Sequence, residues 1–564
     1  MSKNNIYSLS LSSVISCIAV CSLMFSLTAH AVQTVPDAGQ FSQELKKQPN
    51  LNQPGSVELL QAPGEVQDQT TDSNDIRMLV NGVKVTGSQL FDHVLLESLV
   101  SDLIGGQHNF AEIDAAVSRI THYYRERGYL VARAYLPVQD LKDGVIEINV
   151  LEGRLGEHRI HNEAHVADSL INGHLDIVKT NSTLQSEKVD RAVLLVGDLP
   201  GVGGARASLQ PGASVGTSDL IVEVAPGQRY SADVELDNYG SYYTGLNRLG
   251  GAVALNSPLK LGDQLTVRAL TSDQDMKYGR IAYQLPISSN GMKLGLAYSD
   301  MSYTLGKQYS ANDFHGTASS ASVFVTYPFI RSQLVNLYGT LTYEQKDLHD
   351  VNADTIDKKV RLVNLGFTGN RQDTFLSGGF NSIETSLVVG DLTMDPTTLS
   401  QDQGGAKSEG TFEKLNVNLS RLQRLTDRDT FSLALSFQQA NKNLNSSEKF
   451  YLGGVNGVRA MPQSEAGGDE GWMINAELRH DFTELLQGVA FFDTGTVHVN
   501  HNAYIADASN VRNVSGVGFG INAHYKALQF KSALAYRTSG GTALSEPASE
   551  DSRVRLWVQL GGAF

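Results

Sequence analysis

Residues 450–472 read FYLGGVNGVRAMPQSEAGGDEGW: six glycines set around a single arginine, Arg459. The stretch has neither a helical period nor a strand alternation, and it is too long for an ordinary hairpin turn. Both flanks alternate as strands: TFSLALSFQQA at 430–440 before it, and INAELR at 474–479 after it. Further on, FFDTGTV at 491–497 places an acid, Asp493, in the middle of a strand. One reading is a barrel with a long loop folded inward and one arginine tethered to one carboxylate. A disordered surface loop is the other, and these residues alone leave both open.

Working outward, the chain keeps a period of two from residue 229 onward. In residues 292–299, Met292, Leu294, Leu296 and Tyr298 alternate with Lys293, Gly295, Ala297 and Ser299. In residues 553–564, Val554, Leu556, Val558, Leu560, Gly562 and Phe564 alternate with Arg553, Arg555, Trp557, Gln559, Gly561 and Ala563. A soluble sandwich buries such an apolar face, whereas a membrane barrel turns it to lipid and keeps its polar face inside. Residues 229–564 have room for about 16 strands at roughly 20 residues per strand and connection. The fold class expected is therefore a transmembrane antiparallel β-barrel.

Composition agrees. Of 564 residues, 45 are Lys or Arg and 60 are Asp or Glu, a net charge of −15 with no basic run, which disfavours nucleic acid as a partner. Residues 1–31 have a signal-peptide pattern, with Lys3 in the basic region, an apolar stretch over 6–27 and an Ala-His-Ala cleavage site at 29–31. Cys17 and Cys21 both fall inside it, so no cysteine chemistry is expected of the exported chain. Past residue 31 no apolar run is long enough for a transmembrane helix.

Between leader and barrel the chain divides further. Residues 37–48 predict a short helix that Asp37 can cap, with Phe41 and Leu45 on one face, within an N-terminal segment 32–48. Residues 49–75 are rich in Gln, Asn, Pro, Asp and Thr and predict a flexible linker. An isolated amphipathic helix on a tether is not stable in water and must dock. Residues 76–153 read β-α-α-β-β. The clearest helix covers 110–127, and the last strand covers 145–151 with Ile146, Ile148 and Val150 on one face. Residues 154–228 repeat that order more loosely. Gly212-Ala213-Ser214-Val215-Gly216 fits a nucleophile-elbow pattern, but a strand follows it where a helix is needed, so it predicts a turn. His158, His161 and His165 are spaced so that 158 and 161 face opposite sides of a strand, which argues against one metal site. No catalytic constellation, cofactor site or metal site stands out, and an enzyme is not expected.

The segment 452–472 closely resembles the loop of outer-membrane two-partner secretion transporters, relatives of the BamA assembly protein. In that superfamily the sixth extracellular loop enters the barrel, and its arginine meets an aspartate in a strand motif like FFDxG. The matching positions here are Val458, Arg459 and Ala460, then Asp493; Met461 departs, standing where the family usually has an aromatic. The resemblance implies that Arg459 and Asp493 pair to gate the loop, in a wet lumen, and that residues 32–48 plug the pore. It implies two POTRA domains, at 76–153 and 154–228, in the periplasm, with Ile146, Ile148 and Val150 on the partner-docking strand. Phe564 resembles the outer-membrane assembly signal read by the barrel assembly machinery. The function implied is ATP-independent passage of one unfolded exoprotein through the outer membrane of a Gram-negative bacterium. That exoprotein would be a large β-helical adhesin, cytolysin or contact-dependent inhibition toxin. The alternative is an insertase of the BamA or TamA kind, whose members carry more POTRA units.

Overall fold

A computed structural model describes residues 35–45, 56–58, 77–140, 143–504 and 509–564. The expected signal peptide lies outside the described residues, as does the 49–75 linker apart from 56–58. Residues 230–563 close into a barrel of sixteen antiparallel strands, beginning with Tyr230–Asp237 and ending with Val554–Ala563. Those two close the ring, pairing 233–237 with 559–563. Strand lengths run from 8 residues in Tyr230–Asp237 to 19 in Thr355–Asp373. The longest exceed the roughly 9–11 residues that a bilayer requires, so they project beyond it.

The period of two becomes two environments. Leu556 is 53% exposed on the outside, while its neighbour Trp557 is 2% exposed within. Leu249, Val253, Leu296, Leu341, Val363, Leu387 and Phe519 likewise face out. Lys346, Asp350, Lys414, Gln438 and Asp493 are buried within. A water-soluble protein sorts its side chains the other way, so this distribution marks a lipid-facing wall around a polar lumen.

Two small α+β units precede the barrel. In the first, Val145–Leu151 pairs in parallel with Gly82–Thr86 and antiparallel with Arg133–Tyr135. Phe110–Glu126 packs on that sheet through Ile113, Val117, Ile120 and Tyr124, and an Asn109–Glu112 capping box starts it. The first helix of the expected β-α-α-β-β order is short, His93–Ser98, and is followed by one 3-10 turn at Ser101–Leu103. In the second unit the sheet is made of Arg154–Asn162, Thr217–Pro226 and Val202–Pro211, with helices Asp168–Leu175 and Ser186–Gly197 over it. The 212–216 segment is the turn between Val202–Pro211 and Thr217–Pro226.

This second unit is seated on the barrel rim. Asp198 accepts two hydrogen bonds from the Arg331 fork at 2.7 and 2.8 Å, and Arg191 donates to the Pro328 carbonyl at 2.6 Å. The Ala167 N–H reaches the Lys260 carbonyl at 2.8 Å. The long connections therefore lie on the opposite face, and the sixth of them, counting along the chain, joins Asp429–Ala440 to Glu470–Thr483.

One linker expectation is corrected. Residues 49–75 read as flexible, but Ser56–Glu58 forms a strand parallel to Val202–Pro211. Composition reports whether a segment can build its own core. It does not report whether an existing sheet edge nearby offers backbone partners.

Candidate functional site

The sixth connection folds into the barrel. It begins at residue 441, nine residues earlier than the glycine-rich stretch suggests, and ends where the strand Glu470–Thr483 starts. Its first part is fixed by charge. Glu448, fully buried, pairs with Lys346 and, at 2.8 Å, with Lys414, each from a different barrel strand. Asp469 closes the return, accepting from Lys449 at 2.6 Å, from the Leu444 N–H at 3.1 Å and from the His501 N–H at 2.9 Å. Between them Phe450–Tyr451 pairs with Gly467–Gly468, and the tip turns on Gly454, whose φ of 114° suits glycine.

Arg459 sits at that tip. Its Nε donates to Asp493 Oδ2 at 2.8 Å, its Nη2 to Asp493 Oδ1 at 2.7 Å and its Nη1 to Glu477 Oε1 at 2.6 Å. Its own backbone N–H adds a third bond to Asp493, at 3.1 Å, and the guanidinium lies 3.5 Å from the centre of the Phe491 ring. Trp557 donates its indole N–H to the Arg459 carbonyl at 2.7 Å. Asn475 completes Asp493 at 2.8 Å and also holds the Gly457 carbonyl at 2.8 Å. The fork matches a carboxylate with two parallel bonds, and the second carboxylate uses the outward donor.

The expected pairing of Arg459 with Asp493 is present, beside a polar cavity that Arg459 and Glu477 also line. Arg459 is 9% exposed and Asp493 0%. Loop, barrel wall and Trp557 together cover Asp493, while Arg459 keeps one side toward that cavity.

The neighbours of Arg459 pack tightly. Val458 lies in a buried cluster with Leu452, Met461, Met473, Val497 and Val514. Met461 fills this apolar corner where the family usually places an aromatic, and its sulfur lies 3.6 Å from Arg537 Nη1. Ala460 packs against Gly516, where an added Cβ would lie 2.4 Å from the Ala460 Cβ. Gly516→Ala is therefore expected to push the tip off its seat and to reduce secretion in the same direction as Arg459→Ala but less. Protease nicking within 441–469 on intact cells should rise with it; an unchanged nicking pattern would show that the contact relaxes harmlessly.

The predicted helix forms over Ala38–Leu45 and lies inside the barrel. Asp37 caps it, accepting from the Gln40 N–H at 3.0 Å. Phe41 and Leu45 are buried as expected, with Phe41 4.7 Å from Tyr303, ring centre to ring centre. Tyr243, a loop residue, packs over this helix. Polar contacts hold both ends. The Ala38 N–H reaches Asp350 at 2.8 Å, and Asp37 meets Lys358 at 3.2 Å and Ser446 at 2.8 Å. Glu44 meets Arg248 at 3.1 Å and Ser464 at 3.2 Å. Ser446 and Ser464 both belong to the inward connection, so helix and loop touch at both ends of the helix. A cavity of about 620 Å³ remains between helix, loop tip and wall, lined by Glu44, Glu235, Arg248, Arg268 and Arg479 among others.

The docking-strand expectation needs correction. Ile146, Ile148 and Val150 are buried in the core of the first unit, but their strand is central, with a strand on each side. A β-α-α-β-β reading supplies the order of strands in sequence and not their order in space. Arg133–Tyr135 is one edge strand and Gly82–Thr86 the other. Its outward Val85 N–H is taken by the Glu97 carboxylate at 3.1 Å, and a groove lined by Lys84, Val85, Thr86, His93 and Glu97 runs beside it. Phe564 pairs backbone to backbone with Ala232 at the barrel seam, its side chain exposed on the lipid face. His158, His161 and His165 go to three partners, Asp176, Glu163 and Arg229.

Glu477, Asn475, Phe491 and Trp557 were missed, although a signal existed for the first three. Asn475 and Glu477 share the polar face of INAELR, and Phe491 shares that of Asp493 two residues on. Nothing local marks Lys346, Lys414 or Glu448, which meet from distant strands.

The comparisons with known proteins bear on this arrangement. The family described as haemolysin secretion/activation protein ShlB/FhaC/HecB matches residues 216–523, and the ShlB-type POTRA domain matches residues 78–153. The heme/hemopexin transporter protein HuxB of Haemophilus influenzae is 25% identical over 550 residues, 94% of this chain and 95% of its own. The outer membrane transporter CdiB of Escherichia coli O6:K15:H31 is 24% identical over 446 residues, 74% of this chain and 72% of its own. A solved CdiB from Escherichia coli superposes with a TM-score of 0.71 at 18% identity, covering 93% of this chain and 95% of that one. With its sixteen-stranded barrel, POTRA unit and inward loop, the chain belongs to the ShlB/FhaC/HecB family of two-partner secretion transporters of the Gram-negative outer membrane.

Proposed function

We propose that this chain binds one large secreted exoprotein in unfolded form through its POTRA units and passes it through the barrel to the cell surface. The observation that carries this reading is the content of the lumen. A helix and a connection of 29 residues, 441–469, occupy it, and neither contributes a strand to the wall. Both are held by side-chain pairs that can be broken one at a time. Such a filling suits a conduit closed at rest and emptied for passage. Folding of the exoprotein outside would give the movement its direction without ATP. The exoprotein fits the class of β-helical adhesins, cytolysins and contact-dependent inhibition toxins, whose unfolded chains present long extended segments.

Docking is assigned to the Gly82–Thr86 edge, where an extended segment can add as a strand. Deleting residues 76–153 is expected to remove the exoprotein from the culture medium while the barrel still assembles and stays heat-modifiable on gels. Continued secretion by that variant would sink the docking assignment.

One observation favours the insertase reading. The seam between first and last strands holds five residue pairs, against eight and nine at the interfaces on either side. A weak seam suits lateral opening, but the packed lumen has no role in that reading, and transport accounts for it.

A further inference from the structure

The inner wall of the barrel is not uniform. The seventh to tenth strands are Val335–Val351, Thr355–Asp373, Gly379–Met394 and Gly410–Arg424. Toward the POTRA end their inward residues form three successive rungs. Thr340, Gly366, Ser386 and Asn416 make the first, each directly opposite the next. Tyr338, Thr368, Glu384 and Asn418 make the second, and Asn336, Asn370, Ser382 and Ser420 the third. Leu341, Leu365, Ile383 and Leu419 alternate with them and face lipid, so the rungs face the lumen. Hydroxyls and amides of the rungs bond one another. Asn416 donates to Ser386 at 3.2 Å, Asn336 donates to Asn370 at 3.0 Å, and the Ser382 and Ser420 hydroxyls lie 2.6 Å apart. Glu384 is the one carboxylate of the three rungs. It is exposed, and among the described residues its side chain makes no ion pair or hydrogen bond.

Half-way round the ring the wall differs. The first, third and fourth strands turn Asp233, Glu235, Arg268 and Arg280 inward, and Arg268 meets Glu235 at 3.4 Å. The end of the helix at Glu44 and Leu45, and Val455 and Asn456 of the loop, share the 620 Å³ cavity with this charged side. None of the three rungs lines that cavity. Thr368, Glu384 and Asn418 are instead exposed although they point inward. The neutral side is also where the second POTRA unit attaches. Arg331, whose fork holds Asp198, donates from Nη1 to Asn336 of the lowest rung at 3.0 Å.

We propose that this neutral wall is the track along which the extended exoprotein slides toward the surface, with Glu384 the one fixed charge it meets there. This rests on the transport reading above. An extended chain presents a backbone donor and acceptor at almost every residue and needs partners for them in every register. Ser, Thr and Asn side chains both donate and accept, so they serve whichever group is passing. Each such bond replaces one to water and contributes little net, so the chain is held loosely and released at each step. A wall of fixed charges acts otherwise. It captures a passing opposite charge and repels a like one, most strongly where water is scarce. On the charged side those groups are engaged with one another and border the helix end and the loop. Glu384, which has no cation of its own, favours passing Lys and Arg and disfavours acidic runs. The transiting segments are therefore of one chemical class: extended, rich in neutral polar and basic side chains, and poor in clustered Asp and Glu. Entry fits the same path, because a chain released from the POTRA units meets the lowest rung first, beside the Arg331 clamp.

The test uses the whole protein and its exoprotein, stalled in passage by a tightly folded domain fused to the exoprotein's C-terminus. A photoreactive residue is placed at Asn418, or at Thr266, which faces inward on the charged side. Cross-linking to the stalled chain should be at least about ten-fold greater from position 418, the ratio expected when one wall holds the chain more firmly than the other by a single good contact. Equal yields, or a larger yield from 266, would overturn the proposal. Matched pairs of substitutions give a second reading. Ser386→Arg with Asn416→Arg puts two charges on directly opposite neutral residues and should cut secretion about ten-fold or more. Thr266→Arg with Ala282→Arg, likewise directly opposite, adds the same bulk and charge to the charged side and should stay within about two-fold of the unaltered protein. Ser386→Gln with Asn416→Gln adds bulk without charge and should secrete nearly normally. Equal losses from all three pairs would mean plain obstruction and would also overturn the proposal. Heat-modifiability on gels shows that each variant has assembled, and the cross-link needs only single replacements should the arginine pair fail to assemble. Secretion by the unaltered protein speaks to the transport reading separately. If the exoprotein passes and cross-links equally to both sides, transport stands and the track does not.

Discussion

Arg459→Ala is expected to leave a folded, heat-modifiable barrel that secretes almost nothing. The barrel's sixteen strands do not depend on the tip, but the tip depends on Arg459 for its contacts to Asp493, Glu477 and Phe491. Removing one member of a buried pair costs about 3–5 kcal/mol, because the other charge is left uncompensated. Even the lower figure is about two orders of magnitude in the equilibrium that places the loop. After Arg459→Ala, Asp493 keeps only Asn475 and the backbone N–H of residue 459. After Asp493→Ala, Arg459 still has Glu477 and the Phe491 ring. Asp493→Ala should therefore be a strong but smaller defect. The double variant should be no worse than Arg459→Ala, since a shared interaction is lost once. Arg459→Lys should not rescue, because an ammonium cannot meet two carboxylates in the plane of a fork. Exoprotein in the medium is the readout, with gel heat-modifiability as the control for assembly. Defects that simply multiply would mean that the two residues act separately.

The barrel was legible because period two survives in every long strand, whatever the strand's position in the ring. Val554 to Phe564 announces its lipid face as clearly as Met292 to Tyr298 does. The pairing of Arg459 with Asp493 was legible through the resemblance of the loop, and the helix through Phe41 and Leu45 at i, i+4. Features created only by closure were hidden. Glu448 between Lys346 and Lys414 needs three separate segments of chain, and no local pattern records which inward residues will face one another across a lumen. The burial of Arg459 was hidden for the same reason. Trp557, 98 residues further on, supplies part of the lid. Strand order within the POTRA units was hidden too, which is why Val145–Leu151 looked available for docking. The Ser56–Glu58 strand had no apolar pattern to announce it, since its partner is backbone.

Deleting residues 32–48 is expected to convert brief, rare openings in planar bilayers into a steady, much larger conductance. An α-helix with its side chains is about 10–12 Å across, so its loss leaves a water-filled bore of about that width beside the inward loop. That bore joins the 620 Å³ cavity already present against Glu44 and Arg248. Nothing else described near the mouth replaces the helix, whose Phe41 and Leu45 sit in one cluster with Tyr243, Tyr278, Met301 and Tyr303. Those partners are wall and loop residues that have no helix to close upon once it is gone. The helix itself is held by apolar contact along its face and by polar contacts at its ends, so weakening the ends alone should give an intermediate result. Asp37→Ala frees Lys358 and Ser446 at one end and removes the cap at the same time. Losing a cap costs about 1 kcal/mol. Its openings should be more frequent than those of the unaltered protein, yet still return to the closed level, since Glu44 continues to hold Arg248 and Ser464. Unchanged conductance in the deletion variant would assign closure to residues 441–469 alone. In that case Arg459→Ala, which loosens that connection, should open the channel where the deletion does not.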